Sequence, residues 1–186
     1  MALEATFREL TVCLHHLHEA VNELQVTLGD KPPEDESAMA DGVETAVLDL
    51  MGILHEARRA ALEARKAVGH PPDLDRARRE LTRCNERFHR IELQFASELV
   101  SYEKLKELAR LGTERRVWLP WATAVKQGIE QCREPLEQTS TALALCWQEL
   151  AERLGMMNIS MQATNVGQQI SLPRSRIEDL EAEGVT

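Results

Sequence analysis

From Leu74 to Phe95 apolar residues fall in alternating steps of three and four, at Leu74, Ala77, Leu81, Cys84, Phe88, Ile91 and Phe95. That spacing draws one continuous apolar seam down one face of a helix. Continued to Leu111, just before Gly112, such a helix runs roughly 57 Å at about 1.5 Å per residue. Only other long helices laid alongside it bury a seam of that length.

Three more stretches carry the same alternation. Leu3, Phe7, Leu10, Leu14, Leu17, Val21, Leu24 and Leu28 mark a first helix over Ala2 to Leu28, with Gly29 and Asp30 as its stop. The acidic segment that follows holds Pro32 and Pro33 and does not continue a helix. A second helix is expected to start between Glu36 and Asp41, where Asp41 and Glu44 have capping-box spacing. Its seam is Val43, Val47, Leu50, Leu54, Ala57, Ala61, Ala64 and Val68, and the change from leucine to alanine predicts the closest helix approach at that end. Gly69, His70, Pro71 and Pro72 stop it, and Asp73 is placed to cap the third helix.

The fourth helix follows Thr113. Pro120 reads as its first turn, leaving Glu114 to Leu119 as a separate turn or kinked entry. Its seam is Val125, Ile129, Cys132, Leu136, Thr139, Leu143, Cys146 and Leu150. Pro135 lies within the run and is expected to bend the helix near Gln131, and Gly155 ends it. Short connections between four amphipathic helices predict an all-α, antiparallel up-down-up-down four-helix bundle over residues 1–155, with long third and fourth helices. The core is built from Leu, Ala and Val, since aromatic residues are only 4% of the chain.

After Gly155 the period changes from helical to two. Met157, Ile159, Met161 and Ala163 alternate with polar residues, the pattern of a half-buried strand. Residues 156–186 therefore read as a short strand-like or disordered C-terminal tail. Three options stand for the strand over residues 157–172: pairing with Gln168 to Leu172 across a turn, pairing with another chain, or no order. Residues 173–186 form an acidic end in which Ser175 and Glu178 have the spacing to cap a short helix.

Charge and motifs exclude several functions. The net charge of -9 and the pI near 5.2 argue against nucleic-acid binding, because acids interrupt the Arg clusters at Arg58, Arg76 and Arg115. MALEATFREL does not resemble a signal peptide, and no stretch reaches the roughly 18 apolar residues of a membrane span. A cytoplasmic protein without membrane attachment is expected, and four scattered cysteines agree with that. Cys13, Cys84 and Cys146 share one level of the bundle, with His15, His16, His18, His55 and His89 close by, which raises a metal or haem site. Helical phase opposes it. The two seam cysteines face the core while His15, His55 and His89 each follow a seam residue and point away. Glu86 and His89 supply only one of the two Glu-x-x-His pairs of a di-iron bundle. Cys13 near His16 or His18 lacks a pocket and oxyanion donors, and no phosphate-cradling glycine loop is present. No catalytic, cofactor or metal residue is assigned.

What remains is binding. The far tip of the third and fourth helices carries Tyr102, Leu105, Trp118 and Trp121, either as a partner surface or, for the two tryptophans, as the cap of the core. With Met157, Ile159 and Met161 of the tail, these are the candidate contact residues of a non-enzymatic interaction, scaffold or adaptor subunit. Its partner would be a different protein or a second copy of the chain. The alternative is a bundle that carries metal or haem in its core.

Overall fold

The computed structural model describes the backbone of residues 2–30, 38–111 and 115–155, and the side chains of residues 2–30, 42–97 and 119–155. All regular structure among them is helical: α1 Ala2–Gly29, α2 Ala38–Ala67, α3 Leu74–Leu111 and α4 Arg115–Leu154. Their seams meet in one core. Every seam residue named above is buried except Leu74, which is half-buried at the start of α3. The expected tail, residues 156–186, lies outside the described residues.

The helices pack as a bundle. α2 lies most extensively along α3, and α1 along α4, while the α1–α2 and α3–α4 seams are slighter. Salt bridges from Glu63 to Arg76 and from Glu56 to Arg87, both 2.7 Å, tie α2 to α3. Ala57, Ala60, Ala61, Ala64 and Ala67 are all buried along the same stretch of α2. On the other side of the bundle the Cys146 thiol donates to the Thr6 carbonyl at 3.4 Å. Further along, Gly128 meets Leu24, where a methyl group on Gly128 would come within 2.8 Å of Leu24 Cδ1. Glycine at that point lets α1 and α4 approach closely.

Helix ends follow local chemistry. Asp73 Oδ1 accepts from the Arg76 amide at 3.0 Å, satisfying one of the donors that the first turn of α3 leaves without a helical partner. Asp73→Ala is therefore expected to cost about 1 kcal/mol in chemical denaturation; an unchanged midpoint would show that the cap contributes nothing. Gly155 takes a left-handed φ of 63° and closes α4.

α2 starts at Ala38, between Glu36 and Asp41 as the spacing predicts, but Asp41 lies inside the helix and does not cap it. Ala38, Met39 and Ala40 are good helix formers, and they extend the first turn past the polar residue. α4 starts at Arg115 and contains both Pro120 and Pro135, so residues 115–119 belong to the helix and are not a separate turn. Pro120 removes one hydrogen bond close to the helix end, and burial of Trp121 and Ala122 directly after it outweighs that loss. The helix is unbroken at Pro135. The Gln131 carbonyl that loses its donor there belongs to an exposed residue, and the Thr139 hydroxyl donates to the Pro135 carbonyl at 2.7 Å.

Candidate functional site

The predicted contact residues are distributed unevenly. Tyr102 and Leu105 lie in α3 and Trp118 in α4, all three beyond the described side chains. Met157, Ile159 and Met161 fall outside the described residues. Trp121 is 6% exposed and belongs to the buried core, so its ring is not on the outer surface. No two of these side chains are brought together among the described residues. Leu93, 57% exposed near the end of the described core on α3, is an apolar surface residue that lies off the seam.

The cysteine level is a piece of core. Cys13, Cys84, Cys132 and Cys146 are all buried free thiols. Burial pushes Cys13 up to about 11 and Cys84 and Cys132 up to about 12. Cys146 is raised as well, first by burial and then by Cys84, Cys13 and Glu149. A thiol must ionise to attack a substrate or to ligate a metal, and these are held neutral. Among the described residues no three His, Cys, Asp or Glu side chains are grouped to hold a metal ion.

The histidines form a polar cluster across α1 and α2. Arg58 Nη2 on α2 lies 3.2 Å from His15 Nδ1 on α1, and His15 Nε2 lies 3.3 Å from Glu19 Oε1. Next to them is His18, held below the ordinary imidazole value by partial burial and then by Arg58, His15 and His55. No family model, curated protein or solved structure matches this chain. The residues themselves must therefore carry any assignment.

One buried acid went unnoticed in the sequence. Glu92 is 4% exposed, with Oε2 3.6 Å from His89 Nδ1 and Oε1 without a hydrogen-bond partner. Burial pushes its carboxyl up to about 8, so it is mostly neutral at pH 7. Arg87, on the opposite flank of α3, reaches α2, which turns Glu92 toward α4. Ser140 and Trp147 on α4 are buried too. Glu92, Ser140 and Trp147 each directly follow a seam residue, namely Ile91, Thr139 and Cys146. A burial stripe widened by one flanking row would have found them.

Among the described residues no helix is long and apolar enough to cross a membrane. A surface groove lies between α2 and α3 and is lined by Glu56, Glu63, Glu80, Arg59, Arg83 and Arg87 among others. Its charges are largely paired within the groove, at Glu56–Arg87 and Glu80–Arg83, so it presents a solvated ion-pair surface.

Proposed function

We propose that this chain is a non-enzymatic scaffold or adaptor subunit of the cytoplasm. In this reading residues 1–155 form an antiparallel up-down-up-down bundle, and residues 156–186 a separate tail. The subunit engages a protein partner, or a second copy of itself, through the far end of α3 and α4 and through that tail. The observation that carries the reading is the mismatch in helix length: α3 and α4 have 38 and 40 residues, α1 and α2 only 28 and 30. With Leu24 beside Gly128 and Glu56 beside Arg87 as register marks, α4 outruns α1 by about eight residues and α3 outruns α2 by about six, or roughly 12 and 9 Å. Helices that outrun the core they help to build offer ready-made sites for another polypeptide. The neutral, buried thiols and the lack of a convergent donor set among the described residues support binding over catalysis.

Two variants test the proposal: a chain ending at Gly155, and a full chain carrying Tyr102→Ala, Leu105→Ala and Trp118→Ala. Each is compared with the parent by light scattering and by recovery of associated proteins from cells, once circular dichroism has shown intact helix. At least one variant is expected to lose a self-association or partner association by about tenfold or more. Unchanged mass and unchanged associations in both would sink the proposal.

A further inference from the structure

We propose that a groove at the end of the bundle where α4 finishes is the dock for residues 156–161 of the same chain, and that this docking withholds the tail from its partner. The groove has a volume of about 390 Å³. Leu3 of α1, Val68 and Pro72 of the α2–α3 connection and Leu74 of α3 give it an apolar lining, with Arg153 of α4 beside them. The core is left open at this end. Leu74 is the one named seam residue that is only half-buried, and Leu154, one turn past the last seam residue of α4, is half-buried too. Apolar side chains at such an opening lack the contacts on one side that a further apolar segment would supply.

The chain itself delivers the occupant. Gly155 takes a left-handed φ of 63°, and its amide donates to the Glu152 carbonyl at 3.4 Å. A helix end of this kind folds the next residue back against the last turn, a place that favours an apolar side chain, and the sequence supplies Met156 there. Arg153, on the groove, stands only two residues before the turn. Residues 157–161 therefore lie within roughly 20 Å of Gly155 even when fully extended, at about 3.3 Å per residue. A segment tethered so close closes its loop at little entropic cost and meets the groove at a local concentration on the order of millimolar.

Composition fits the segment to the groove. Residues 156–172 hold no Asp, Glu, Lys or Arg, in a chain that is 28% charged overall. Burying this stretch therefore strips water from no charge. Met157, Ile159 and Met161 alternate with Asn158 and Ser160, so an extended segment turns its apolar side chains to the groove and its polar ones to water. Three of the six methionines of the chain fall at Met156, Met157 and Met161, and methionine is well suited to filling an irregular apolar gap. The docking stands on the groove. The withholding rests on the reading that the tail engages a partner, because Met157, Ile159 and Met161 cannot serve both surfaces at once.

The full chain, labelled at the methyl groups of Met, Leu and Val, is observed by NMR beside two variants. Pro72→Arg puts a charge into the groove at an exposed position, and Ile159→Asp puts one into the segment. Nuclear Overhauser contacts are expected from the Met157 or Met161 methyl to those of Leu3, Val68 or Leu74, and both variants are expected to lose them. No such contact in the wild type overturns the dock. So does a contact found only between differently labelled copies, since a second copy would then be the occupant. A segment docked about nine-tenths of the time weakens tail-dependent association about tenfold, so Pro72→Arg is expected to strengthen it by that factor in light scattering and partner recovery. Unchanged or weaker association in Pro72→Arg overturns the withholding. Failure of the functional reading looks different: a chain ending at Gly155 keeps every association, the withholding falls with it, and the methyl contacts of the full chain persist.

Discussion

Replacing Trp147 with alanine is expected to cost the bundle about 3–5 kcal/mol. The indole is the largest fully buried side chain among the described residues, at 1% exposed, and it directly follows the seam residue Cys146 on α4. Truncation removes its apolar area from the core and leaves a cavity that rigid helices close only in part. Its Nε1 has no hydrogen-bond partner, so the polar end of the ring offsets none of that loss. Trp147→Phe keeps most of the volume and discards the unmet donor, and is expected to cost less than about 1.5 kcal/mol. Urea unfolding followed by circular dichroism measures both. If the alanine variant lost no more than the phenylalanine variant, the ring would not be packed as described.

Glu92→Gln is expected to stabilise the protein, and to do so more strongly as the pH rises. The carboxyl is raised by burial to about 8 against a usual value near 4.5, so between these limits the folded chain holds a proton that the unfolded chain has released. Stability contributed by this group therefore falls as pH rises through that window and levels off above it. Glutamine has no charge to bury and keeps a similar shape. Its advantage should be near zero at pH 5 and reach about 1–3 kcal/mol at pH 8, an order-of-magnitude figure for a carboxylate without a paired cation. Denaturation curves of both proteins at the two pH values supply the check. A constant difference between them would mean that Glu92 titrates normally and that water reaches it.

The core could be read from the sequence because its seams keep an unbroken three–four alternation. Leu3 to Leu28 and Val125 to Leu150 lie in the core throughout. The flanks were harder. A seam of two residues per heptad describes two helices in contact, whereas a helix with neighbours on both sides buries a further row. Trp147, Ser140 and Glu92 belong to that row, and nothing at Glu92 in the sequence says that its carboxyl is buried with one oxygen left without a hydrogen-bond partner. Of the candidate contact residues, Trp118 and Trp121 share the far tip of the third and fourth helices in the sequence. Whether such a pair faces outward or caps the core depends on where the neighbouring helix ends, which spacing along one helix does not contain. Helical phase did set His15 and His55 off their seams, but the approach of Arg58 to His15 depends on the register between α1 and α2, which arises only when the helices pack.

The close packing of α1 on α4 joins the two ends of the described chain, with Thr6 against Cys146 and Leu24 against Gly128. The other well-packed pair, α2 and α3, is local, separated only by residues 68–73. These pairs form under different entropic terms, because a short loop closes at little cost and a separation of more than a hundred residues does not. During synthesis α1 emerges first, yet the helix that covers the Thr6 and Leu24 side of it is made last. A nascent chain stopped before Arg115 has α2 and α3 ready to pair and one side of the leucine seam of α1 still bare, a surface that a chaperone or another unfinished copy would meet before α4 arrives.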